Sequence, residues 1–118
     1  KRERIDRKAA ELRLEAARAD EEASLRRARL ERRNALETMR LARERAEAAR
    51  RLLELQRRKF AAEEANFKRG RSSTDLLLRF SQDIRQAEAE RLRAETDESL
   101  SRVELARTCG RLASELAP

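Results

Sequence analysis

The sequence predicts an all-α fold: a long antiparallel α-helical hairpin held by a coiled-coil-like seam. Three observations carry this. Charged residues make up 45% of the 118-residue chain, and Ala, Leu, Glu and Arg dominate it, a long-helix composition. Residues 1–66 contain neither Gly nor Pro, and the only proline is the last residue, Pro118. Between two helix-like blocks lies one short break, Asn66 to Asp75, rich in turn and capping residues.

The first block, 1–66, shows a seven-residue repeat. Met39, Ala46, Leu53, Phe60 and Phe67 share one position, a, and Ala28, Ala35, Ala42 and Ala49 share another, d. Apolar residues at a and d make a helix–helix seam, and the alanines permit close approach. A second apolar row lies at c, formed by Leu41, Ala48, Leu55 and Ala62, with Leu52 beside it at g. A helix with two apolar rows expects two neighbours. Positions b and f are nearly all charged through Arg40, Glu44, Glu47, Arg51, Glu54 and Arg58, and Glu47–Arg51 and Glu54–Arg58 have the favourable i,i+4 order of a solvated face.

The break, 67–75, reads as a turn. Gly70 suits a helix C-terminus, where a left-handed backbone would push a Cβ into the chain. Ser72, Ser73 or Thr74 can cap the next helix, with Asp75 near its positive end. The second block, 76–118, carries Leu77, Phe80, Ile84, Ala87, Ala94 and Leu105 in a looser repeat. Its row Ser99, Val103, Ala106, Gly110, Ala113 again favours small residues. A short connection folds the two blocks back on each other. At about 1.5 Å per residue the first helix reaches ~100 Å and the second ~60 Å, so about twenty N-terminal residues are expected to lack a partner within the chain. The seam is poorer there, with Arg26 and Arg32 where apolar residues are wanted. The abrupt start within a helical pattern reads as a piece of a larger protein.

The composition also excludes classes. With no His and one Cys, the chain expects no metal site and no cofactor. One Val and two Ile argue against a sheet protein. The longest leucine run is Leu76-Leu77-Leu78, too short to span a bilayer. Carboxylates sit at helix-surface spacing with no second class of titratable partner, so no enzyme is expected. Cys109 is expected to be a small buried hydrophobe.

From Phe67-Lys68-Arg69-Gly70-Arg71-Ser72-Ser73-Thr74-Asp75 through Leu76-Leu77-Leu78-Arg79-Phe80, the chain resembles the C-terminal repeat of the TolC-type outer-membrane efflux proteins. The pattern is an aromatic, two residues, Gly, a polar stretch and an apolar trio. An Ala-spaced helix follows, here Ala87, Ala89 and Ala94, and then Val103, Leu105, Gly110 and Leu112. The match is firmest over about residues 55–112. The resemblance implies one periplasmic helical hairpin of a trimeric α-barrel/β-barrel channel in the bacterial outer membrane, for multidrug efflux or type I secretion. Its tip would be offered to a periplasmic adaptor (membrane fusion) protein, with an inner-membrane pump engaged indirectly. It places Phe67, Lys68, Arg69, Gly70, Arg71 and Ser72 at the adaptor contact, and Asp75 and Arg79 at the pore constriction. Two departures stand out. Arg79 occupies a position where the family commonly has an acid, and Leu76 occupies the other acidic tip position.

The rival reading is a basic coiled-coil interaction or nucleic-acid-binding protein, suggested by Arg26, Arg27, Arg29, Arg32 and Arg33 within eight residues and a net charge of +7. Acids alternate with bases nearly everywhere else and no aromatic platform is present, so no nucleic-acid partner is expected.

Overall fold

A computed structural model describes residues 1–116; within 111–116 the one side chain described is that of Ala113. Two helices account for the described chain: α1, Arg2–Lys68, and α2, Thr74–Leu116. No strand occurs among the described residues. The first helix ends two residues later than the break suggested, and the turn is residues 69–73, not 67–75. The expected positions of Ala117 and Pro118 in the returning helix, and of the Leu112 side chain, lie outside the described residues.

Hydrogen bonds explain where α1 stops and α2 starts. The Arg71 amide donates to the Asn66 carbonyl at 2.8 Å and the Gly70 amide to the Phe67 carbonyl at 2.9 Å. These are the two bonds of a Schellman close, which needs a left-handed residue between them. Gly70 supplies it at φ +73°. Thr74 opens α2, and the Ser73 hydroxyl accepts from the Leu76 amide at 3.2 Å. Ser73 is therefore the N-cap. Asp75 lies in the first turn, where its charge meets the positive end of the helix.

The chain forms two compact units, Glu37–Val103 and Lys1–Leu36 with Glu104–Pro118. In the first, α1 and α2 make an antiparallel hairpin. Arg50 pairs with Glu95 at 2.9 Å, Arg57 with Glu88 at 3.3 Å and Lys59 with Asp83 at 4.0 Å, so partners descend α2 as α1 ascends. On α1 the seam is the predicted one: Ala42, Ala46 and Leu53 are buried, and Met39, Ala49 and Phe60 half-buried. Ala46 is 0% exposed. The a row ends at Phe60, because Phe67 is 42% exposed. On α2 the seam has its own seven-residue spacing, Leu77, Ile84, Arg91, Glu98 alternating with Phe80, Ala87, Ala94, Ser101, all buried or half-buried. The small-residue row expected to pack does not: Ser99 and Val103 are exposed. They sit on a face about 150° round the helix from the seam, at ~100° per residue.

In the second unit, Ala28 and Ala35 of α1 are buried, as the d row requires, and so is Thr108 of α2. The Thr108 hydroxyl donates to its own helix at the Leu105 carbonyl, 2.9 Å away, which satisfies it without a partner across the seam. Ala106, Gly110 and Ala113, which continue the expected small-residue row, are exposed. Cys109 is half-buried rather than buried, because it lies beside Thr108, off the seam spacing. Residues 1–22 are exposed apart from a half-buried Ala9.

The core is thin. Among the described residues, five of the six buried apolar residues are alanines, and the sixth is Leu53. Alanine buries little area, so this seam contributes close approach of the helices more than hydrophobic free energy. The exposed ion pairs flanking it, Arg57 with Glu88 and Lys59 with Asp83, add little.

Candidate functional site

The turn presents the sequence-predicted site residues outward. Phe67, Lys68, Arg69, Gly70 and Arg71 are exposed, and Ser72 is half-buried. Phe67 is the last aromatic of α1, and helix termination at Lys68 leaves no facing turn of α2 to cover it. Lys68 is held by Glu64 at 3.6 Å, one turn back on the same helix. Arg69, Arg71 and Arg79 make no ion pair. The Ser72 hydroxyl oxygen is buried with no hydrogen-bond partner.

The first turns of α2 add Leu78, 53% exposed, beside Arg79, also exposed. Asp75 and Arg79 stand at i,i+4 spacing but are not paired, and both face solvent. The turn region thus combines exposed apolar groups, Phe67 and Leu78, with free guanidinium groups. A partner surface carrying carboxylates around an apolar patch has the matching chemistry.

Away from the turn, each helix of the Glu37–Val103 unit shows a second apolar face. On α1, Leu41, Leu52 and Leu55 are 41%, 39% and 60% exposed. On α2, Leu92, Leu100 and Val103 are exposed more uniformly, each by about three-fifths. The α1 row is the c/g row read from the sequence, and among the described residues it stays partly open. On α2, Val103 belongs to the small-residue row that the sequence suggests as a packing face, and the structure leaves it exposed.

Charges that cross the seam set its register. Glu98, 6% exposed, accepts from Arg102 at 2.7 Å and from Arg50 at 3.5 Å. Hydrogen bonding to Glu95 raises the Arg50 guanidinium further above its already high pKa, against a desolvation that lowers it. Lys59 lies 4.1 Å over the ring of Phe80, which ties α1 to the first turns of α2. A groove lined by Ala42, Arg45, Glu90, Arg93, Ala94 and Asp97 alternates charges along the seam.

The five arginines between Arg26 and Arg33 are all exposed. Among the described residues no cluster of His, Cys, Asp or Glu could hold a metal ion, and no helix is long and apolar enough to cross a membrane. Comparison with protein-family models, with curated proteins and with solved structures gives no match for this chain.

Proposed function

We propose that this chain works by association: the turn around Gly70 docks a partner, and the two helices that flank the turn hold it in place. In the form the sequence resemblance suggests, it is a periplasmic hairpin of a TolC-type outer-membrane channel for efflux or type I secretion. The turn meets a periplasmic adaptor protein, three copies of the parent assemble, and an inner-membrane pump acts indirectly. The observation that carries the reading is the turn itself. Its Schellman close on Gly70 exposes Phe67 together with the unpaired Arg69 and Arg71. The apolar faces outside the seam, one on each helix, support lateral packing against neighbouring helices.

The test uses the full-length parent. Gly70→Trp puts a bulky side chain on a left-handed residue at the docking face. It should leave trimer assembly and membrane insertion intact while abolishing efflux and adaptor cross-linking. Charge reversal at exposed Arg51, on the outer face of α1, should do little. Normal transport by the Gly70 variant would end the proposal.

A second reading, a coiled-coil association protein with a basic surface, is favoured by the exposed Arg26–Arg33 stretch. It predicts salt-dependent binding to duplex DNA, since neutralised phosphates release counterions.

A further inference from the structure

The N-terminal arm of α1 carries an apolar stripe distinct from the seam. Ile5, Ala9, Leu12, Ala16, Ala19 and Ala23 recur at alternating spacings of four and three. Ile5 is 68% and Leu12 55% exposed. On the helical wheel this stripe lies about 130° from the row of Ala28 and Ala35, at ~100° per residue. It is a second heptad seam that this chain leaves open.

We infer that this arm is a self-association site, which pairs antiparallel with the same arm of a second copy. Size and charge both select the arrangement. With Ile5 opposite Ala16 of the second copy, Leu12 falls opposite its Ala9. Each large residue then meets a small one, the interdigitation that fills a seam without voids. Charges flank the stripe on both sides: Asp6 and Arg13 on one, Lys8 and Glu15 on the other. In this register Lys8 faces Glu15 of the second copy, and Asp6 faces its Arg13. The two-fold symmetry repeats both contacts.

The alternatives keep some opposite-charge contacts, Lys8 with Glu22, Glu15 with Lys1 or Lys1 with Asp6, but each adds like-charge ones that the chosen register lacks. Sliding one heptad in one direction sets Arg13 against Arg13 and Glu15 against Glu15. Sliding in the other sets Lys8 against Lys8 and Asp6 against Asp6. A parallel in-register pair brings Lys8 beside Arg13 and Glu15 beside Asp20. Like charges at these flanking positions oppose pairing.

These four side chains are also uncommitted. All are exposed and none makes an ion pair within the chain. The arm's ion pair, Arg7 with Glu11 at 3.7 Å, lies on its other face. The pairing ends near residue 20, short of Ala28, where α1 is already covered. The inference does not rest on the efflux reading and competes with it, because protomers running parallel in a trimer would keep these arms from pairing antiparallel.

The experiment uses the whole chain with Cys109→Ala, to remove its one thiol. Protein carrying Ala9→Cys is mixed with protein carrying Leu12→Cys under mild oxidation. Antiparallel pairing predicts the mixed disulfide in preference to either like pair. Leu12–Leu12 cross-links as the main product, or a trimer, would overturn the inference. Sedimentation equilibrium supplies the second arm. Glu15→Lys should weaken dimerisation about 10-fold, because two attractive contacts become repulsive. Adding Lys8→Glu should restore it to about the parent level, by exchanging the two charges. A chain that stays monomeric, or a double variant no tighter than Glu15→Lys alone, would overturn it.

Discussion

Replacing Ala46 with leucine should separate the hairpin seam. Ala46 is 0% exposed and lies midway between Met39 and Leu53 on the seam of α1. Alanines at Ala42, Ala46 and Ala87 set the approach of the two helices, so a leucine has no room without a backbone shift. Overpacking of this kind costs ~1–3 kcal/mol. The entropy of unfolding at the midpoint is about 0.25 kcal/mol/K for a chain of this length, which converts that cost into a fall of ~4–12 °C in Tm. The assay is thermal unfolding by far-UV circular dichroism at one fixed protein concentration, beside Ala61→Leu. Ala61 is exposed on the same helix and alanine and leucine differ little in helix propensity, so the control should stay within about 2 °C of the parent. Equal shifts at both sites, or no shift at Ala46, would refute the heptad assignment.

The two glycines should respond with opposite sign, although an added Cβ meets no atom within 4 Å at either. Gly70→Ala strains a backbone at φ +73° and should destabilise by ~1–2 kcal/mol, whereas Gly110→Ala, inside α2, should stabilise by up to ~1 kcal/mol, both read by urea unfolding. Ser73→Ala removes the N-cap of α2 and should cost ~1 kcal/mol, with loss of amide protection at Leu76 in hydrogen exchange. Glu98→Leu should be neutral or stabilising, because Arg50 and Arg102 remain 47% and 60% exposed and keep their water when the buried carboxylate goes; a clear drop in Tm would show that the charge contributes more than an apolar seam would.

Much of the hairpin was legible because one signal repeats. The alanines at 28, 35 and 42 and the leucine at 53 mark α1's covered face by spacing alone, and their burial follows. Gly70 ends α1 for the reason its residue type suggests: a left-handed position tolerates it at no steric cost. The seam of α2 was harder to read. Arg91 and Glu98 occupy two of its positions, and an apolar template passes over them. Their long side chains lie partly along the seam with charged ends reaching partners or water, so burial and charge coexist there. The exposed row Ser99, Val103, Ala106, Gly110 and Ala113 drew the small-residue reading because it is the less charged face of the two. Phe67 shows the remaining limit. Its spacing continues the a row, but the row has no partner where the chain is already turning. At the turn, exposure and lack of ion partners at Arg69 and Arg71 come from the fold, since a charge run in sequence carries no record of which charges find a counter-ion.

The central claim is that this chain carries contact surfaces outside its own seam, with Leu41, Leu52, Leu55, Leu92 and Val103 left open along the hairpin and Ile5 and Leu12 along the arm. Sedimentation equilibrium of the unaltered chain across a wide concentration range tests it most directly. Covering those faces requires another helix, so the account predicts reversible association that rises with concentration, accompanied by a matching rise in Tm. A chain that sediments as a monomer throughout, with a melting transition independent of concentration, would contradict it.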